Sequence, residues 1–218
     1  MAAGRLTTIF AKRPVPGAVK TRLVPPLTSE EAAELALAML DDTVEKCAAC
    51  RGFATQIAAA GEEDWFRERY PGIEVVRQEG RDLGQRLARH FGISAAARPG
   101  WSLACVGADS PHVPVERIAA AHEAIEKGAD IVLGPDRGGG YYLVALKRPV
   151  AELFTRVPMS TPTMREETLG IARSLGLEVR LLEEDFDVDG IEDLDRLARE
   201  PSAVRSAALA GRFVRRRA

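Results

Sequence analysis

Four cations lie close together near the start of the chain, in the segment AKRPVPGAVKTRL. Lys12, Arg13, Lys20 and Arg22 fall within eleven consecutive positions. An arginine offers a planar fork of donors and a lysine a compact point charge, so two such pairs can converge on one polyphosphate. Gly17 lets the backbone between the pairs turn tightly and approach a ligand. We predict that this segment binds phosphate, although a solvated basic loop would carry the same residues.

Carboxylates form a second group of candidates. Asp109 ends a buried apolar run in GADSPHVP, and Asp187 and Asp189 alternate in DFDVDGIEDL. Mg²⁺ prefers oxygen ligands and is usually held by one or two carboxylates together with substrate phosphates. We therefore predict a Mg²⁺ (or Mn²⁺) site formed by Asp109 with Asp187, Asp189 or both. The alternative is that Asp109 and Asp189 cap the helices that follow them.

Two glycine-containing segments are candidates for contacts with a ligand. In QEGRDLGQRL, Gly80 and Gly84 flank a turn whose backbone could contact a base or ribose, or Asp82 could cap the following helix. In GPDRGGGYYL, three consecutive glycines indicate either close approach of a ligand or a hairpin turn. Both alternatives stay open for each segment.

Two short motifs resemble known functional sites, but their position in the chain does not support those functions. Cys47 and Cys50 form a CxxC late in a predicted helix, and the only other cysteine is Cys105, so packing of small residues is favoured. The DVDG at 187–190 resembles the nucleophile motif of haloacid-dehalogenase-like phosphatases. In that family the motif follows the first strand, whereas here about thirty residues remain after it.

Composition limits the classes of protein that fit. The chain has 218 residues, 46% of them hydrophobic, with a net charge of −2, so nothing global indicates binding to nucleic acid. It has no apolar run of the roughly 20 residues needed to span a membrane, and no apolar core of a signal peptide. Three cysteines do not make a disulfide framework. We predict a cytoplasmic protein.

Strand-like and helical patterns alternate along the chain and position these residues. Strands are expected at 6–11, 53–60, 73–78, 101–109, 130–135, 141–147 and 178–182, and helices at 28–50, 65–70, 82–97, 114–127, 161–175 and 191–199. This alternation predicts an α/β fold with three layers, αβα, and a mainly parallel sheet. Ligands bind beyond the carboxyl ends of the strands in such sheets. The two strands around the glycine triplet are close enough for an antiparallel insertion.

The sequence has no internal repeat and no linker that would divide it. We therefore predict a single domain over 1–211. A basic tail over 212–218, with the sequence RFVRRRA, follows it. Such a tail is expected to be frayed and solvated.

Five motifs occur in order along nearly the whole chain: FAKRPVPGAVKTRLVPPLTSEEA, QEGRDLGQRL, VGADSPHVP, VLGPDRGGGYYLV and DFDVDGIEDL. Together they resemble a bacterial GT-A-like family named as glycosyltransferases, which is similar to 2-phospholactate guanylyltransferase and, more distantly, to molybdenum-cofactor guanylyltransferase. The resemblance implies a nucleoside-diphosphate-sugar transferase fold whose partners are a nucleotide or nucleotide sugar and a small-molecule acceptor. It does not indicate an oligomeric state.

The resemblance also implies roles for individual residues. The cations of the first loop would bind the nucleotide phosphates, Asp109 would bind the divalent metal, and Asp187 or Asp189 would help to hold it. Lys20, Arg22 and Asp109 are then the candidate catalytic residues. Gly17 and the segment with Gly80, Asp82 and Gly84 complete the candidates for nucleotide binding.

The glycine triplet departs from the family pattern. The family's hairpin usually reads DGGYYL, whereas this chain has Gly138 in place of the acid and carries Asp136 two residues earlier. The role of that acid has therefore either moved to Asp136 or been lost. The candidates for substrate binding are Asp136, Gly139, Gly140 and Tyr141.

Three functions fit the sequence. The leading hypothesis is a metal-dependent nucleotidyltransferase that joins an NMP from an NTP to a small phosphorylated acceptor and releases pyrophosphate. The second is a glycosyltransferase that uses a nucleotide-diphosphate sugar at the same cleft. The third is a nucleotide-binding protein without catalysis, which the glycine at position 138 motivates.

Overall fold

A computed structural model describes residues 4–217, in which seven strands form one sheet between two layers of helices. The strands are β1 Arg5–Ala11, β2 Ala54–Ala59, β3 Glu74–Arg77, β4 Ser102–Gly107, β5 Ile131–Pro135, β6 Tyr141–Leu146 and β7 Val179–Leu181. They correspond to the seven predicted strands.

The helices are α1 Ser29–Ala49, α2 Glu63–Arg69, α3 Leu83–Ala97, α4 Val115–Glu126, α5 Glu152–Thr155, α6 Met164–Ser174, α7 Ile191–Leu197 and α8 Val204–Arg217, with a 3₁₀ turn at Thr21–Leu23. The six predicted helices are confirmed. The sequence patterns missed α5, α8 and the 3₁₀ turn. Before α1, the Thr28 side chain accepts from the backbone of Glu31, and the Glu31 side chain accepts from the backbone of Thr28, as the capping box predicted.

The strand order is β3-β2-β1-β4-β6-β5-β7. Neighbouring strands are parallel except where β6 lies antiparallel to both β4 and β5. The predicted α/β fold with a mainly parallel sheet is therefore confirmed, and so is the antiparallel insertion. This topology brings the carboxyl ends of β1 and β4 together at one edge of the sheet.

Side chains of the strands alternate between two hydrophobic clusters, one on each face of the sheet. Ile9 and Ile57 belong to the cluster that α1, α2 and α4 cover. Leu6 and Leu103 belong to the opposite cluster, under α3, α5 and α6. Cys47 lies fully buried in the first cluster, so its predicted packing role is confirmed.

The predicted tail is helical rather than frayed over residues 212–217, and Ala218 lies outside the described residues. Residues 212–217 are the last part of α8, and the predicted domain boundary at 211 falls inside this helix. Phe213 is buried in a third cluster with Leu35 of α1 and Leu194 of α7. The side chains of Arg212, Arg215 and Arg216 occupy the outer face of an amphipathic helix, where Arg216 and Glu31 form an ion pair.

Asp42 of α1 holds the beginning of α8. Its carboxylate accepts hydrogen bonds from the backbone nitrogens of Arg205, at 3.1 Å, and Ser206, at 2.8 Å. A carboxylate in this position satisfies the free N–H groups of a first helical turn.

No helix within residues 4–217 is both long and apolar enough to cross a membrane.

The docking of α8 predicts a difference between two neighbouring substitutions. Phe213→Ala removes a ring that is 5% exposed, and it should lower the free energy of unfolding by about 3 kcal/mol. Arg215→Ala, on the exposed face of the same helix, should change it by less than about 0.5 kcal/mol. Urea unfolding of both variants measures the difference. Equal effects would mean that the end of α8 does not pack.

Candidate active site

Two clefts open beyond the carboxyl ends of β1 and β4 and share part of their walls. We call the smaller one, of about 460 Å³, the cationic cleft; its charged lining residues are Lys12, Lys20, Arg22, Arg86, Asp109 and Asp189. We call the larger one, of about 790 Å³, the acidic cleft; its charged lining residues are Asp109, Asp136, Asp187, Asp189, Glu192, Asp193, Arg22, Arg137 and Arg196. Cations outnumber carboxylates in the first cleft, and carboxylates outnumber cations in the second.

Lys20 lies where the two clefts meet. Its Nζ is 2.5 Å from Oδ1 of Asp109, 3.3 Å from Oδ1 of Asp189 and 2.6 Å from the carbonyl oxygen of Val188. The side chain is only 8% exposed. Burial alone would lower the pKa of Lys20, but the two carboxylates outweigh it and the pKa is raised. The amine is therefore an ammonium that contacts two other segments of the chain, at Asp109 and at 188–189.

The other cations of the first loop differ in position. Arg22 is 80% exposed at the mouth of both clefts, with Nη1 3.7 Å from Oδ2 of Asp189. Lys12 donates to the carbonyl oxygen of Ala18 at 2.7 Å, which closes the loop across Gly17, whose φ is +77°. The structure thus brings Lys12, Lys20 and Arg22 to the same cleft, and their predicted role in phosphate binding stays a prediction.

Arg13 is not brought to this cluster. Its Nη1 donates to Oε1 of Glu62 at 2.7 Å, and its guanidinium lies 5.6 Å from the centre of the Trp65 ring. Both partners lie at the beginning of α2 rather than along the clefts. Adjacent residues of an extended segment point to opposite sides, which separates Arg13 from Lys12.

The helix-cap alternative for the two metal candidates is wrong. Asp109 lies well before α4, which begins at Val115. Before α7, the backbone nitrogens of Asp189 and Gly190 donate to Oδ2 of Asp193, at 3.1 and 2.8 Å. Asp193 therefore caps this helix, and the Asp189 carboxylate stays available to the clefts.

Asp187 is the most perturbed acid of the site. Its carboxylate accepts a hydrogen bond from Ser110. Burial, followed by the charges of Asp109, Asp136 and Asp189, raises the pKa of Asp187 to about 7 despite that hydrogen bond. The site therefore carries an excess of negative potential that a bound cation would relieve.

A second set of contacts holds the acidic segment from behind. Asp185 accepts from Nε2 of His112 at 2.8 Å and from Arg117. These hydrogen bonds outweigh burial and lower the pKa of Asp185 to about 2. The His112 ring also stacks on Phe186 with centroids 3.9 Å apart. His112 and Asp185 therefore support the site rather than line it.

The carboxylates offer the oxygen donors that a hard divalent cation prefers, but they are not arranged as a complete set of ligands. Within the described part of the chain, no three His, Cys, Asp or Glu side chains are grouped to hold a metal ion. Asp109 and Asp189 instead share the Lys20 ammonium, with Asp187 behind them. Mg²⁺ and Mn²⁺ accept such oxygen donors and complete their shell with substrate phosphates and water.

The segment QEGRDLG has mainly structural roles. Asp82 caps α3, accepting from the backbone nitrogen of Gln85 at 2.8 Å, so the capping alternative is confirmed. Gly80 has φ +144°, and Gly84 lets α3 approach α5 so closely that a Cβ would lie 2.3 Å from the carbonyl oxygen of Phe154. These three predicted nucleotide contacts are not among the residues that line either cleft.

Sequence reasoning missed Arg86, one turn into α3. Its Nε donates to the carbonyl oxygen of Gly80 at 3.2 Å, and the half-buried guanidinium lines the cationic cleft. The sequence did contain a signal for this residue, because an arginine in the first turn of a helix that follows a strand lies near the ligand-binding end of the sheet. The predicted contacts were instead the two glycines and Asp82 of the same motif.

The glycine triplet forms the β5–β6 hairpin around a buried acid. Asp136 is 7% exposed and accepts from the backbone nitrogen of Gly140 at 3.1 Å. A Cβ on Gly139 would lie 1.9 Å from the carbonyl oxygen of Pro162, so only glycine fits there. A Cβ on Gly138 would lie 3.0 Å from Oδ1 of Asp136. The Asp136 carboxylate thus lies beside the position where a side chain at 138 would begin.

Tyr141 lines the acidic cleft without offering its hydroxyl. The hydroxyl is enclosed and has no hydrogen-bond partner among the described residues, and burial raises the pKa of Tyr141 to about 12. Phe10, Leu87, Met159 and Met164 line the same cleft and give it an apolar wall. The contribution of Tyr141 to this cleft is therefore apolar.

The raised pKa of Asp187 predicts how stability depends on pH. Its pKa is about 7 in the folded protein and 3.8 for the unperturbed group, so the folded state loses stability as the pH rises from about 4 to about 7. Asp187→Asn, which keeps the shape, should remove this loss. In EDTA, the variant should be more stable than wild type by up to about 4 kcal/mol above pH 7, and the difference should shrink toward pH 4.

Asp195→Asn, at an exposed position of α7, is the matched control and should show no such pH-dependent difference. Urea unfolding at several pH values measures all three proteins. A difference between wild type and Asp187→Asn that does not change with pH would contradict a buried, perturbed Asp187.

Solved structures share this fold. A candidate nucleotide-diphospho-sugar transferase from Desulfovibrio desulfuricans G20 has a TM-score of 0.86 at 26% identity, covering 95% of this chain and 94% of that chain. A cytidylyltransferase from Leptospira borgpetersenii has a TM-score of 0.60 at 14% identity, covering 98% and 95%. Rv0371C from Mycobacterium tuberculosis H37Rv, in complex with manganese, has a TM-score of 0.51 at 19% identity, covering 89% and 98%.

The predicted nucleoside-diphosphate-sugar transferase fold is confirmed. The prediction of a transferase enzyme is supported by the similarity to the Desulfovibrio protein. The narrower resemblance to guanylyltransferases stays a prediction. No curated protein matches the sequence. Residues 43–161, more than half of the chain, match the family described as "Uncharacterized protein conserved in bacteria (DUF2064)". The chain therefore belongs to the DUF2064 family.

Proposed function

We propose that the protein is a metal-dependent nucleotidyltransferase that transfers an NMP from an NTP to a small acceptor and releases pyrophosphate. The observation that supports this most is the opposite charge of two clefts that meet at Asp109 and Asp189. A polyphosphate is attracted to the cationic cleft and repelled by the acidic one. The two substrates would therefore approach the shared carboxylates from opposite sides.

The triphosphate would lie along the cationic cleft. Lys12, Lys20 and Arg22 line it next to the carboxylates, and Arg86 lines it from α3. Ammonium and guanidinium groups bind phosphate oxygens through charge-assisted hydrogen bonds. Pro14 and Val19, on either side of Gly17, also line this cleft, whereas Gly17 itself is not among the lining residues.

Asp109 and Asp189 would hold Mg²⁺ or Mn²⁺, with Asp187 as a further oxygen donor. When bound, such an ion supplies positive charge that neutralises the phosphates during transfer. The manganese complex of the structurally similar Rv0371C is consistent with this assignment. The pKa of Asp187 is raised first by burial and then by the charges of Asp109, Asp136 and Asp189, and a bound cation would offset the second of these causes.

In the proposed reaction an ionised phosphate oxygen of the acceptor attacks the α-phosphorus and forms a new P–O bond, so no proton has to be removed. The bond from the α-phosphorus to the bridging oxygen breaks, and pyrophosphate leaves with that electron pair. No covalent intermediate with the enzyme is needed, because positioning and charge neutralisation supply the catalysis. Lys20 and Arg22 would bind the β- and γ-phosphates and stabilise the charge that develops on pyrophosphate.

The acceptor would occupy the acidic cleft. Arg137 and Arg196 are its cations besides Arg22, and they could hold the phosphate of a phosphorylated acceptor.

Asp136 favours a second candidate, glycosyl transfer from a nucleotide sugar, because a buried carboxylate at the cleft can accept a hydrogen bond from a sugar hydroxyl. Incubation with each NTP or nucleotide sugar and a panel of acceptors, assayed for pyrophosphate and for nucleoside diphosphate, separates the two.

The metal assignment predicts how Asp109→Asn changes nucleotide binding. The amide is nearly isosteric, so the fold should persist while the charge that attracts the metal is lost. Mg²⁺ should strengthen nucleotide binding by about tenfold or more in wild type and have little effect in the variant. Calorimetric titration with each NTP, with and without Mg²⁺, measures this. An equal effect of Mg²⁺ on both proteins would remove Asp109 from the metal site.

The cationic cleft predicts a contrast between two arginines of α3. Arg86→Met should weaken nucleotide binding by about tenfold or more, because a charge-assisted hydrogen bond contributes roughly 1.5–3 kcal/mol. Arg89→Met is the control, since Arg89 lies outside both clefts and pairs with Glu79 on the surface. Its nucleotide affinity should match wild type. Two variants with the same affinity would place the nucleotide away from Arg86.

A further inference from the structure

We infer that Lys20 competes with the divalent cation for Asp109 and Asp189, and that a polyphosphate in the cationic cleft relieves this competition by binding the Lys20 ammonium. Metal and nucleotide would then bind with positive coupling, and the metal alone would bind weakly. This inference rests on the proposed function, since it concerns the regulation of the same site.

The competition follows from the contacts of the ammonium. Lys20 Nζ lies against Oδ1 of Asp109 and Oδ1 of Asp189, and it also donates to the carbonyl oxygen of Val188. It thus takes one oxygen from each carboxylate of the proposed metal site. A divalent cation that used these oxygens would meet an ammonium already in contact with them, and the two positive charges would repel each other.

The burial of Lys20 makes this competition stronger than at an exposed ion pair. The side chain is 8% exposed, so water screens its charge poorly and leaves it few other partners. Arg22 differs in this respect, because it is 80% exposed and lies 3.7 Å from Oδ2 of Asp189. The two cations share the Asp189 carboxylate, which is itself 55% exposed, but only the Lys20 side chain is buried.

The release of Lys20 follows from its place between the clefts. Lys20 lines the cationic cleft together with Lys12 and Arg22, so phosphate oxygens bound there can accept hydrogen bonds from its ammonium. The backbone of Lys20 is in the left-handed region, with φ +47° and ψ +38°, immediately before the 3₁₀ turn. Because Lys20 already lines this cleft, a change in its side-chain torsion angles would bring the ammonium to a phosphate bound there.

The experiment measures Mn²⁺ binding to the protein without nucleotide, by the electron paramagnetic resonance signal of free Mn²⁺. Lys20→Met and Lys20→Gln should each bind Mn²⁺ about tenfold or more tightly than wild type. Arg22→Met is the matched control, because it removes one positive charge near the same carboxylate, and it should bind within about twofold of wild type. Thermal unfolding establishes that each variant is folded.

A double variant, Lys20→Met with Asp109→Asn, should lose the gain, which would locate it at the shared carboxylate. The inference is overturned if both Lys20 variants bind Mn²⁺ no more tightly than wild type, or if Arg22→Met gains as much as they do. Mg²⁺-dependent nucleotide binding in wild type would then still support the proposed function. Failure of every protein to bind Mn²⁺, with or without each NTP, would overturn both.

Discussion

The arrangement of this site depends on one buried ammonium shared by two carboxylates. Lys20 comes from the loop after β1, Asp109 from the end of β4 and Asp189 from the segment after β7, and their contact ties these distant parts of the chain together. The ammonium is buried whereas both carboxylates are 55% exposed, and the pair adds little net stability because desolvation of Lys20 offsets the attraction. Its consequence is instead a fixed boundary between two clefts.

That boundary separates opposite charges. The first loop and α3 supply the cations of one cleft, while the β5–β6 hairpin and the segment before α7 supply the carboxylates of the other. The antiparallel β6 is essential to this division, because its hairpin places Asp136 in the acidic cleft. Under the proposed function, this division gives an anionic donor and an acceptor separate places.

Much of this was predictable from the sequence because periodicity and strand ends are local signals. Asp109 and Lys20 follow apolar strands, and the ligand edge of a parallel sheet must bring such residues together. The position of Arg13 was not predictable, because it depends on Glu62 in a later helix. The packing of α8 was not predicted, because its arginines are typical of a solvated tail. The role of Gly84 was not predicted either, because it depends on the close approach of α5, which no sequence motif indicates.

We propose that polyphosphate binds on the cationic side of Asp109 and Asp189, with a metal at these carboxylates. A crystal structure of the protein with Mn²⁺ and a nucleoside triphosphate would locate both, using the anomalous signal of manganese. We expect an anomalous peak at Asp109 and Asp189, with phosphates contacting Lys12, Lys20 and Arg22. Phosphates bound instead at Arg137 and Arg196, or manganese bound away from these carboxylates, would contradict it.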